Sequence, residues 1–152
     1  MALEDNLRAE YILIQGQYEA FDQRALSLKA LATPLLGAGI AFGFKEASVA
    51  VLLATVLVAT SLWILEGIWK TFQYCFAARI MQLEMWFRDP QSAEPSPFQI
   101  YTEWTRSWTT HFGRLNSLPA ILKQPFVFLP YLPIVAFGLA GVGWSLSERI
   151  PG

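Results

Sequence analysis

The chain has 152 residues, a length that fits one domain. Hydrophobic residues make up 54% and charged residues 15%, against roughly 45–50% and about 25% in soluble domains, so the expected class is an all-α membrane protein. A net charge of −1 excludes a global basic field for nucleic acid, and a single cysteine, Cys75, excludes an internal disulfide framework or a cysteine metal cluster.

The first ten residues, MALEDNLRAE, carry neither a basic n-region nor an apolar h-region, and no cleavable signal peptide is expected. Leu7, Tyr11, Ile14, Tyr18, Phe21, Ala25 and Leu28 then follow at alternating spacings of four and three. That seam has the period of a helix packing along another helix. Glu4, Arg8, Gln15, Glu19 and Asp22 lie off the seam. No proline precedes Pro34, so one helix is expected to run from residues 1–29 into the first apolar run, with Gly16 its weak point.

The first uncharged run, 30–44, lies between Lys29 and Lys45. Its length of about 22 Å falls short of a ~30 Å hydrocarbon core. Extension back through Ala25–Leu28 and snorkelling of the two lysines supply the difference. The second run, 47–65, is long enough to span, and only Lys45–Glu46 separates the two, which predicts a tight antiparallel hairpin. Gly39 and Gly43 stand in a GxxxG arrangement, and Gly37–Ala41 repeats the spacing. Such faces let helix backbones approach closely, within one chain or between copies.

Glu66 ends the second run between Trp63 and Trp69. It is a candidate intramembrane ionisable group, or an interfacial carboxylate paired with Lys70 one turn on. Over 66–89 Trp69, Phe72, Phe76, Ile80, Leu83 and Phe87 mark one helical face, and Asp89–Pro90 stops the helix. The two extensions are expected to pack on each other, with Tyr11, Tyr18 and Phe21 meeting Phe72, Phe76 and Trp86 or Phe87. Cys75 sits among bulky neighbours on this helix and reads as a buried structural thiol rather than a nucleophile served by His111.

The segment PQSAEPSP is a proline-rich linker, in which Ser96 is expected to cap a helix over 97–117 with Pro97 at its first position. Tyr101, Trp104, Trp108, Phe112 and Leu115 form one stripe on it. The stripe either rests on the membrane surface or packs on the hairpin. The third apolar run, 125–147, opens with Pro125, Pro130 and Pro133, so regular helix is expected from about Leu132, spanning the bilayer or else re-entrant or surface-lying. Gly138 and Gly141 read as helix-packing positions; the surrounding GLAGVG follows no strand and is no phosphate loop.

Of eleven Lys and Arg, three lie in residues 1–29 and six in the stretch after the second run (Lys70, Arg79, Arg88, Arg106, Arg114, Lys123). With three spans, the positive-inside rule puts both segments in the cytoplasm and the C-terminus outside. The expected location is the cell inner (plasma) membrane, multi-pass.

The layout of a helix entering a short apolar run, a tight turn and a second run leaving as another helix resembles the SLATT-type two-span membrane modules of bacteria. The resemblance covers about residues 5–88 and rests on YEAFDQRALSLKA, FKEA and LEGIWKTFQYCFAARI. It implies a pore-forming effector linked to nucleotide-signalled antiviral defence. The third apolar segment is an addition to that pattern, and no functional residue carries over.

No catalytic constellation, metal set or cofactor motif is visible, and the expectation is a non-enzyme. The chain is expected to self-associate in the bilayer as an oligomeric ion channel or pore-type effector. The alternative is an accessory or scaffolding subunit that docks a larger membrane or cytoplasmic partner.

Overall fold

A computed structural model describes residues 3–90, 95–113 and 117–147. The described residues are helical, with no strand. Two long helices lead: α1 (Leu3–Lys45) and α2 (Val49–Arg88). They are followed by α3 (Ile100–Ser107), a π-helical turn (Trp108–Phe112), α4 (Leu118–Leu122), α5 (Pro125–Phe128) and α6 (Tyr131–Ser147). By length and composition α1 and α2 could each cross a membrane, and α6 is a shorter apolar helix.

Local chemistry accounts for the boundaries. Glu4 and Asp5 in the first turn of α1 and Lys45 in its last complement the helix dipole. Pro34 stands inside α1 without ending it. The helix closes with a Schellman arrangement: Ser48 N–H donates to the Gly43 carbonyl (2.9 Å) and Ala47 N–H to that of Phe44 (3.2 Å). The motif needs a left-handed residue at position 47, and Ala47 adopts φ 46°. Ser48 then serves α2, its Oγ accepting from Val51 N–H at 3.5 Å. The turn thus occupies 46–48, one residue later than the charged pair at 45–46 suggests.

The chain divides into two compact units, Met1–Arg24 with Ile68–Ile121, and Ala25–Gly67 with Leu122–Gly152. In the first, Leu7 and Ile14 of α1 form a core with Ile80, Leu83 and Trp86 of α2, and Tyr11, Tyr18, Phe76 and Ile100 pack around it. The helix segments run antiparallel, since Tyr18 and Asp22 meet Gln73 while Tyr11 meets Glu84. Of the expected aromatic pairings, Tyr11 meets Phe87 and Phe21 meets Phe76, each at 6.2 Å between ring centroids. Phe72 instead faces Trp104 and Trp108.

In the second unit Ala32, Leu36, Ala59 and Tyr131 form the core, covered by Leu62, Trp63, Ile134 and Val135. Small residues set the approach of its helices. A Cβ added at Gly39 or Gly43 of α1 would come within 2.5–2.6 Å of Thr55 or Leu52 of α2. At Gly138 and Gly141 of α6 it would strike Val56 and Phe44, respectively. These four glycines are therefore filled by the chain's own side chains. Gly37 differs: it is exposed, with nothing within 4 Å of its Cβ position.

Candidate functional site

Two buried ion pairs organise the units. In the second, Lys29 of α1 and Glu66 of α2 lie at matching distances from the 46–48 turn, and the antiparallel register brings them together. Lys29 Nζ is 2.7 Å from Glu66 Oε1, with side chains only 15% and 2% exposed. The ammonium also donates to the Phe126 carbonyl of α5 and stands 5.8 Å from the ring centroid of the buried Tyr131. Trp63 Nε1 donates to the Leu122 carbonyl at 3.0 Å, tying the segment before α5 to α2.

Glu66 is thus a member of a neutralised pair. Glu66 bridges to Lys29, and Lys70, one turn on, bridges to Asp22. The Lys29 head turns inward to a carboxylate and a carbonyl instead of snorkelling away. Counting outward from the turn in both directions is the signal that could have matched the two residues.

In the first unit Arg79 forms a two-pronged pair with Glu10, Nε to Oε1 at 2.8 Å and Nη2 to Oε2 at 2.9 Å. Both side chains are almost completely buried. Fork-to-carboxylate geometry is the strong form of such a bond. The same guanidinium donates to Gln82 Oε1 (2.8 Å) and to the Ser96 carbonyl (2.7 Å), and Glu10 Oε2 accepts from Phe98 N–H at 2.6 Å.

This clamp holds residues 96–98 as an elbow, with Phe98 at φ 61°. Helix α3 therefore starts at Ile100 with Gln99 as its N-cap, and Ser96 is not the cap the sequence suggests. Glu10 was legible: it lies three residues beyond Leu7 and four before Ile14, on the buried side of the seam.

Beyond the elbow, Trp104 Nε1 donates to the Phe72 carbonyl at 3.1 Å and stacks on Trp108 with centroids 5.8 Å apart. The tryptophan stripe packs on α2 within this unit. Leu115 lies outside the described residues, as does the side chain of Phe112. Phe76, Ile100, Tyr101 and Trp104 line an apolar groove of about 400 Å³, and Tyr101 is 79% exposed at its rim.

No family model, curated protein or solved structure matches the chain. Cys75 is fully buried, and its thiol hydrogen-bonds the Thr71 carbonyl at 3.2 Å. Desolvation pushes its pKa up to about 11, against a smaller lowering effect of a hydrogen bond from Ser107. It is protonated at neutral pH, and a thiol is a poor nucleophile. His111 is exposed, and among the described residues no three His, Cys, Asp or Glu side chains converge on a metal position.

Asp22 shows the electrostatics of the remaining polar cluster. Partial burial pushes its pKa up, but hydrogen bonds from Lys70 and Gln73 and the Lys70 charge outweigh this and hold it below the ordinary value. Gln73, fully buried, bridges Asp22 Oδ2 (2.9 Å) and the Tyr18 carbonyl (2.8 Å). The arrangement binds the two helix segments together.

Proposed function

We propose that the chain is a three-span integral membrane protein of the inner (plasma) membrane. Its N-terminus and residues 66–124 are cytoplasmic, and it acts as a non-enzymatic docking subunit for a larger partner. Support for the membrane placement comes from the lipid-like surface of the second unit: Leu31, Leu35, Leu57 and Phe137 are each more than 60% exposed. Only 17% and 22% of the apolar windows of α1 and α2 are buried within the chain, too little for core helices of a soluble protein.

The observation that carries the docking reading is how the second unit spends its polar and small residues. The charge of Glu66 is neutralised by Lys29, and Gly39, Gly43, Gly138 and Gly141 are filled internally. This describes an anchor more than the wall of a conduit. The groove at Phe76, Ile100, Tyr101 and Trp104 is a surface on which a partner can seat an apolar side chain.

The rival reading, an oligomeric channel or pore-type effector as the SLATT resemblance implies, draws on the open faces of α1. Reconstitution separates the two. Liposomes carrying the purified protein are expected to hold their ion gradients, and a discrete leak would overturn the docking reading. A cytoplasmic-type fluorescent reporter that is active when fused after Gly152 would overturn the topology.

A further inference from the structure

The outer face of α1 in the first unit is uncovered by the described residues. Ile12 and Leu13 are 65% and 52% exposed, and Ala9 is also exposed. A Cβ at Gly16 would meet nothing within 4 Å. Glycine in mid-helix is destabilising relative to alanine, and no neighbour among the described residues requires it here. A helix arriving from outside would, because a glycine lets a second backbone approach closely.

The spacing on this face is regular. Ala9, Leu13, Gly16, Ala20 and Gln23 follow at four, three, four and three, taking positions d, a, d, a and d of a heptad. The buried seam of Leu7, Tyr11, Ile14, Tyr18 and Phe21 falls on b and f, the opposite side.

The flanking charges select both the occupant and its direction. Ile12 and Glu19 occupy g, and Gln17 and Arg24 occupy e. In a parallel pair, position g faces e of the partner five residues on. Glu19 then meets the second copy's Arg24, twice by symmetry, Ile12 lies beside Gln17, and Asp5 faces a Glu10 whose charge Arg79 already holds. In an antiparallel pair g faces g and e faces e. Glu19 would meet Asp5, Ile12, Glu19 or Leu26, and Arg24 would meet Gln17, Arg24, Leu31 or the buried Glu10. Neither finds an accessible opposite charge.

Nor can they pair within one helix, since five residues place them about 140° apart around the axis. Both are exposed, and among the described residues Arg24 forms no ion pair. Parallel is also the direction that two copies inserted in one membrane must share; this point alone rests on the membrane placement proposed above.

We propose that the α1 face formed by Ala9, Ile12, Leu13, Gly16 and Ala20 docks a second copy of this chain. The two α1 segments pack parallel and in register, and Glu19 of each copy pairs with Arg24 of the other. The test uses the full-length protein in native membranes, in a Cys75→Ser background. Under mild oxidation, Gly16→Cys is expected to form a symmetric disulfide dimer much faster than Met81→Cys, an exposed position on α2.

Adding Glu19→Lys or Arg24→Glu singly is expected to slow the Gly16→Cys crosslink roughly tenfold, because two attractions become two repulsions. Combining both reversals should restore the rate. Equal rates at positions 16 and 81, or no recovery in the double reversal, would overturn the interface. Alkaline carbonate extraction of the same membranes reads the membrane placement separately. A protein that stays embedded but fails to crosslink sinks only the interface. A protein that is stripped off sinks the placement, while its position-16 crosslinking still judges the interface.

Discussion

Lys29 and Glu66 close a buried ion pair 2.7 Å long between the two long helices, and α5 adds the Phe126 carbonyl to the same ammonium. Removing either partner takes the counter-ion away from a buried charge, and breaking a buried pair costs about 3–5 kcal/mol, whereas replacing both with apolar groups is often neutral. Lys29→Met and Glu66→Leu are therefore each expected to lower the unfolding temperature in detergent sharply. The double substitution should recover most of the loss. Additive losses in a double-mutant cycle would show that the pair is not coupled.

The Glu10–Arg79 clamp makes a second prediction. Arg79→Ala removes the guanidinium that holds Glu10, Gln82 and the Ser96 carbonyl, again at about 3–5 kcal/mol for a broken buried pair. Because the elbow at 96–98 depends on it, Trp104 and Trp108 are expected to become wetter. Their fluorescence should shift to the red while helical circular dichroism changes little. An unchanged emission maximum in a folded variant would show that α3 is held without the clamp.

Acid should weaken the protein in part through Asp22. Its folded pKa is held below the ordinary carboxylate value, so the group contributes stability above its unfolded pKa, near 4, and loses it as pH falls through the lower folded value. With its side chain half-exposed, the contribution is screened. Asp22→Asn is expected to be less stable than the parent at pH 7 and closer to it below about pH 4. A constant gap between the two unfolding curves across this range would rule out the linkage.

Cys75 is expected to resist modification. Its burial and raised pKa leave almost no accessible thiolate at pH 7.5, so a maleimide should label it only after denaturation. Rapid stoichiometric labelling of the native protein would contradict the packing of α2 against Ser107.

Ala47 holds the left-handed position of the 46–48 turn at φ 46°, a conformation that glycine adopts without steric cost. Ala47→Gly is expected to be stabilising by up to about 1 kcal/mol and Ala47→Val destabilising. Thermal unfolding in detergent checks the order.

Local pattern made the helical class legible. The spacing from Leu7 to Leu28 and from Trp69 to Phe87 repeats with the helix itself, and hydrophobic burial rewards it wherever the partner lies. For the same reason Leu7, Ile14, Ile80 and Leu83 could be picked out as core from the chain alone. Which helix meets which residue is another matter. The partner of Glu66 depends on the register across the turn, and the carbonyl that completes Lys29 comes from α5, far along the chain. A salt bridge is short-ranged, so a residue as distant in sequence as Lys29 becomes a partner only once packing brings it within 3 Å. Likewise a GxxxG spacing states only that a helix can come close. The contacts of Gly39 with Thr55 and Gly138 with Val56, and the open space at Gly16 and Gly37, were decided by the tertiary fold, because a missing side chain is defined only by what fills its place.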